Sequence, residues 1–204
     1  VKISLEKIME QNEAFGIGGN GEAAGVEFGL YASEDMKAAD GSLIPADGLI
    51  EIISLSQDGT GAAQKDLPMG KYYLQERATD SHYLMSEEKY PVVFEYAGQE
   101  QPLVEIRANE GEKILNTLIY GNISGRKTDD KGNALSGARL GLFAPNTTEF
   151  TDETAILTTI SSEGGEFRFD DVPYGTWIVR EIAPPEGYVL CTDVFEVTIG
   201  MEWQ

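Results

Sequence analysis

The feature that most constrains this chain is an internal repeat, because a polypeptide that says the same thing twice is built from two copies of one supersecondary plan. Residues 23–31 read AAGVEFGLY and residues 135–143 read LSGARLGLF. Residues 67–76 read LPMGKYYLQE and residues 172–181 read VPYGTWIVRE, and seven residues beyond each closing glutamate stands a tyrosine, Tyr83 and Tyr188. The same landmarks in the same order predict two domains, 1–118 and 119–204. The stretch 114–127, ILNTLIYGNISGRK, runs from the last strand of one copy into the first strand of the next. With 204 residues, each copy has about a hundred in which to bury a core.

Alternation then gives the class. Val1, Ile3 and Leu5 alternate with Lys2, Ser4 and Glu6; Phe167 and Phe169 alternate with Glu166 and Arg168; Phe195, Val197 and Ile199 alternate with Glu196 and Thr198. A period of two is that of a half-buried strand. Between such runs lie turn-forming clusters, DDKGN at 129–133, SEGGE at 162–166 and PPEG at 184–187, within a chain of 23 glycines and eight prolines. The expectation is all-β, two tandem β-sandwiches, with helix confined to short excursions such as 33–39 or 152–157.

Three polar residues fall on the apolar side of this alternation. Lys7 continues the face of Val1, Ile3 and Leu5; Glu76 shares one with Tyr72 and Leu74; Asn116 shares one with Ile114 and Leu118. The second copy repeats two of them, with Lys127 on the face of Ile123 and Glu181 on that of Trp177 and Val179. Isolated buried charges cost several kcal/mol, so these groups are expected to meet one another. On alternation alone, a lysine whose head snorkels to water, or a plain buried ion pair with Glu76, serves as well as any chemistry.

The wording around the two glutamates, YYLQERATDSHY and more closely WIVREIAPPEGY, resembles the E-box of pilin and adhesin domains. KTDDKGNALSGARLGLF, at 127–143, resembles the opening strands of the same collagen-adhesin B-type, or SpaA-type, prealbumin-like domain of Gram-positive surface proteins. The first copy departs from the pattern, with no Ala-Pro-x-Gly and with KIME where the second has KTDD. The resemblance implies Greek-key, prealbumin-like sandwiches and a spontaneous isopeptide bond between a first-strand lysine and a last-strand Asn or Asp, with the glutamate as proton shuttle. Those roles fall on Lys7, Asn116 and Glu76, with Lys127 and Glu181 as the counterparts in the second copy. Burial favours a neutral amine and a protonated acid, which would polarise the amide carbonyl while the amine attacks.

Spacing separates the two copies. Glu76 and Asn116 lie 40 residues apart, whereas only 23 separate Glu181 from Gln204, and no asparagine follows Asn146. The second copy is expected to stop before its last strand, leaving Lys127 and Glu181 with at most an ion pair and an open sheet edge.

The resemblance further implies a structural, adhesive module and not an enzyme: a stalk segment of a Gram-positive cell-surface protein or pilin. It would be extracellular and wall-attached through segments outside this sequence. Its partners would be other domains or subunits of the same surface protein or pilus, and a host or matrix ligand is compatible. Composition agrees with part of this. Thirty-five acidic against 15 basic side chains, a formal −20, repel nucleic acid and anionic lipid. No apolar run is long enough to span a bilayer, and neither a signal peptide nor a sorting motif is present, so membrane insertion is not expected.

One cysteine, Cys191, and one histidine, His82, support neither a disulfide framework nor a Cys/His metal site, so no metal and no cofactor are expected. His82 has no evident orienting partner in its segment. Gly16, Gly18 and Gly21 fit G-x-G-x-x-G but precede a strand, and a hairpin loop is the simpler reading. TDDKGN reads as a solvated turn rather than a calcium loop. The alternative function is a carbohydrate-binding or linker sandwich of a secreted glycan-active enzyme, with Tyr72, Tyr73, Trp177 and Tyr188 as stacking platforms; parity turns Tyr72 and Trp177 inward and argues against it.

Overall fold

A computed structural model describes residues 1–95 and 104–201. The chain packs as two compact units, Val1–Glu13 with Ile17–Thr117, and Ala14–Gly16 with Leu118–Gln204. Both are β-structures.

In the first unit the strands are β1 (Lys2–Met9), β2 (Glu27–Ala32), β3 (Met36–Lys37), β4 (Leu43–Ile44), β5 (Leu49–Ser54), β6 (Thr60–Ala62), β7 (Gly70–Ala78), β8 (Lys89–Phe94), β9 (Glu105–Arg107) and β10 (Ile114–Asn116). One sheet runs β5-β2-β7-β8. The other is centred on β1, which pairs antiparallel with β6 and parallel with both β9 and β10. β3 and β4 form a small separate hairpin. Alternation places Ile3, Leu5, Lys7 and Met9 of β1 inward, against Phe28, Leu30, Tyr72 and Leu74 of the facing sheet, all of them buried.

The second unit holds β11 (Tyr120–Arg126), β12 (Arg139–Phe143), β13 (Leu157–Ile160), β14 (Glu166–Pro173), β15 (Gly175–Ala183) and β16 (Phe195–Ile199). Its larger sheet, β13-β12-β15-β16, repeats β5-β2-β7-β8 strand for strand, and β11 with β14 repeats β1 with β6. Details repeat too. The inward aromatic of the glutamate strand satisfies its polar tip on a carbonyl four residues earlier in both copies: the Tyr72 hydroxyl donates to Pro68 O at 2.5 Å and Trp177 Nε1 donates to Pro173 O at 2.8 Å. Among the described residues, β9 and β10 have no counterpart beside β11.

The helical excursions differ from expectation. Residues 33–39 hold bends and the strand β3, and residues 152–157 hold a turn running into β13; the short 3-10 turns lie at Glu13–Phe15, Glu22–Gly25 and Asn109–Gly111 instead. Both mispredicted segments are short and polar at their edges, where local hydrogen bonding of Asp, Ser and Thr to the backbone competes with helix.

Candidate crosslink site

Lys7 is carried inward by the alternation of β1, and β10 is set beside it in parallel register, Lys7 opposite Ile114 and Met9 opposite Asn116. Asn116 is thus a diagonal neighbour of Lys7, within reach of a long side chain. Ile114 and Asn116 are buried while Leu115 between them is 55% exposed, so the carboxamide points to the interior. Glu76 reaches the same point from β7 in the facing sheet.

The three groups meet. Lys7 Nζ donates to Asn116 Oδ1 at 2.6 Å and lies 3.1 Å from Glu76 Oε1. Asn116 Nδ2 donates to Glu76 Oε1 at 2.7 Å and to Thr79 Oγ1 at 3.0 Å, and the Ser86 amide donates to Glu76 Oε2 at 2.7 Å. The side chains of Lys7 and Glu76 have no exposed surface. Burial pushes the Lys7 ammonium below the usual lysine range, and the charge and hydrogen bond of Glu76 oppose that shift. Phe28 faces the ammonium, its ring centroid 5.4 Å from Nζ. Chemically, an amine, an amide carbon and a proton carrier are held in contact with water excluded. The carboxyl faces the amide nitrogen, on the side of the leaving group; the carbonyl oxygen, which the sequence reading assigned it, is taken by Lys7.

Thr79, Ser86 and Phe28 were not singled out from sequence. Thr79 lies three residues beyond Glu76 and Ser86 ten; only the equal spacing of the two copies hints at the second, since Cys191 stands ten beyond Glu181 and its amide donates to Glu181 Oε2 at 2.6 Å.

In the second unit Lys127 Nζ lies 3.3 Å from Glu181 Oε1, with side chains 17% and 2% exposed. That geometry makes no hydrogen bond, and Glu181 Oε1 is left buried without a hydrogen-bond partner.

The remaining candidates resolve as local structure. Asp80 Oδ1 lies 2.6 Å from His82 Nδ1, so the histidine does have an orienting partner two residues away, contrary to the sequence reading. The loop that holds Gly16, Gly18 and Gly21 is fixed by Glu22, whose carboxylate accepts from the amides of Gly18 and Asn20 at 2.8 Å each. Asp129 closes its own turn on the amides of Lys131 and Asn133. Tyr72, Tyr73 and Trp177 are buried, leaving Tyr188 as the exposed ring among the four proposed for sugar stacking. No group of three or more His, Cys, Asp or Glu able to hold a metal occurs among the described residues.

The family model of the SpaA prealbumin-like fold domain matches the chain twice, over residues 17–112 and 121–203. The chain belongs to this family. Among solved structures, the SpaA-type fold of both units is similar to the Bacillus anthracis TIE protein, at TM-score 0.66 and 17% identity over 100% of this chain. It is also similar to the C-terminal fragment of the pilus adhesin SpaC from Lactobacillus rhamnosus GG, at TM-score 0.55 and 13% identity, over 98% of this chain and 82% of that one. At these identities the likeness is one of fold. The chain spans 32% of the TIE protein chain. No curated protein matches it in sequence.

Proposed function

We propose that this chain is a pair of structural stalk modules of a Gram-positive cell-surface protein or pilus, and that the first is closed by a spontaneous amide between Lys7 Nζ and Asn116 Cγ. The observation that supports this reading is the buried contact of Lys7, Asn116 and Glu76. The neutral amine attacks Cγ, the new C–N bond forms as the bond to Nδ2 breaks, and Glu76 carries a proton from the attacking nitrogen to the leaving one. One ammonia departs and nothing else is gained or lost.

The bond would join residues 109 positions apart. Chain-entropy treatment of such a closure gives roughly 4 to 5 kcal/mol. Its mechanical value is greater. β1 and β10 are parallel neighbours, so tension applied ahead of β1 and beyond β10 loads the pair in shear, and a covalent bridge between them carries that load in place of hydrogen bonds. Such a module suits an extracellular role, wall-attached through other segments, with further domains or pilus subunits as partners and a host or matrix ligand held elsewhere.

Intact-mass spectrometry tests this. The wild-type chain should weigh one ammonia less than its sequence, and Glu76→Ala should restore the full mass and lower Tm, because it also leaves Lys7 buried without its counter-charge. An unmodified wild-type mass overturns the crosslink.

A further inference from the structure

Asn116 meets Lys7 through its carbonyl oxygen, and both N–H donors of its amide are engaged as well, one by Glu76 Oε1 at 2.7 Å and the other by Thr79 Oγ1 at 3.0 Å. The Thr79 hydroxyl therefore touches the nitrogen that would leave. It reaches that nitrogen because of a β-bulge. Phe28 of β2 pairs with Glu76 and the preceding Glu27 pairs with Ala78, so β7 carries one residue more than its partner. The extra residue reverses the alternation beyond it and turns Thr79 to the face of Glu76. The chain then turns at Asp80, whose carbonyl accepts the Tyr83 amide at 3.1 Å and whose carboxylate accepts the His82 amide at 3.0 Å.

The second unit has the bulge but not the hydroxyl. Leu140 pairs with Glu181 and Arg139 with Ala183, and the next residue is Pro184. The larger sheet forms there without a threonine, and so does the bond from the Cys191 amide to Glu181 Oε2. A hydroxyl at this position is thus no requirement of the shared plan. In the first unit its partner is the amide of Asn116.

We infer that Thr79 is a further residue of the crosslinking reaction, holding the leaving nitrogen while its bond to Cγ breaks. The inference rests on the proposed crosslink. In the planar amide the Nδ2 lone pair is delocalised into the carbonyl, and Glu76 accepts one N–H. Once Lys7 Nζ has bonded to Cγ, Nδ2 is pyramidal and basic. Glu76, having taken a proton from Nζ, then delivers it to that lone pair, so an acceptor becomes a donor. The N–H on Thr79 is untouched by the exchange. Nδ2 can pivot about it and present its lone pair to Glu76, where a nitrogen held at one point only would turn freely. It departs as ammonia with the proton from Glu76, and Thr79 is unchanged.

The test uses the full chain, recovered unfolded from inclusion bodies and refolded by dilution. Intact mass follows the loss of ammonia and circular dichroism follows the return of β-structure, which separates slow chemistry from slow folding. Thr79→Val keeps the shape of the side chain and removes the hydroxyl; Thr79→Ser keeps the hydroxyl. After β-structure has formed, T79V should lose ammonia about tenfold more slowly than wild type, the worth of one hydrogen bond, and T79S should restore the rate. Because threonine does not titrate, the slowing should be equal across a pH series. Where T79V does not regain β-structure, Thr79→Ala carries the same expectation. Equal rates for wild type and T79V, or a T79S as slow as T79V, overturn the inference and leave the crosslink standing. A displaced pH profile overturns it too, since the substitution would then act through the burial of Lys7. A wild-type chain that never loses ammonia removes the crosslink and this inference together.

Discussion

A lysine ammonium with no exposed side-chain surface has lost its hydration and keeps its charge only as far as its neighbours replace what water gave. Lys7 has one anionic neighbour, Glu76, and one neutral acceptor, Asn116. Desolvation is the larger influence on it and acts to release the proton; the carboxylate acts to retain it. The sign for reactivity follows. Under the proposed crosslink the nucleophile would be the neutral amine, whose fraction grows as pH rises through the folded-state pKa, and burial sets that pKa below the ordinary lysine value. The rate of ammonia loss on refolding should therefore rise with pH along a limb lying below about 10.4. Stopped refolding samples read by mass across a pH series would show this, and a limb at or above the ordinary lysine value would mean that burial does not activate the amine.

At the scale of elements, the site depends on where β1 is held. One edge of β1 meets β6 through a tight turn at Gly59, whose carbonyl accepts the Lys7 amide at 2.7 Å. Gly59 has φ +83, and a Cβ there would come 2.1 Å from Lys7 O. Gly165 repeats this against Lys127 O at 2.4 Å, with φ +81. The sequences SQDGT and SEGGE thus contain a glycine for a physical reason: the backbone of the lysine strand passes where a side chain would start. Gly59→Ala should displace β1 at Lys7, destabilise the first unit by about 1–3 kcal/mol and, under the proposed crosslink, leave a measurable fraction of uncrosslinked chain. Chemical denaturation and intact mass together check both parts. Full crosslinking with unchanged stability would show that β1 is positioned by β10 alone.

For the molecule as a whole, the two units share a plan yet differ in how each closes. The first has β9 and β10 on the far side of its lysine strand; in the second, among the described residues, β11 pairs with β14. Under the proposed crosslink, single-molecule pulling on the chain should release the length of the second unit and not that of the residues between Lys7 and Asn116. Glu76→Ala should restore the second release. Two full-length unfolding events in the wild-type chain would contradict this. The −20 charge acts at the same scale, opposing association with polyanions without bearing on the fold.

The fold class was legible because the repeat and the period of two are local properties of the chain, and the larger sheets of both units follow from them. Lys7, Glu76 and Asn116 were likewise legible as inward residues, since parity alone reports which face a side chain takes. The bends and turns at 33–39 and 152–157, where helix was expected, were not, because runs that short are decided by side-chain and tertiary hydrogen bonds. Nor were Thr79, Ser86, Phe28 or the pairing of His82 with Asp80, whose contacts depend on the path of a loop. What the sequence by itself determined, then, is the architecture and the list of groups that must lose water. Which oxygen faces which nitrogen, that the Glu76 carboxyl meets the amide nitrogen, and that Glu181 Oε1 has Lys127 beside it without a hydrogen bond were decided by tertiary structure alone, because contacts between residues 40 and 109 positions apart depend on strand register and sheet packing.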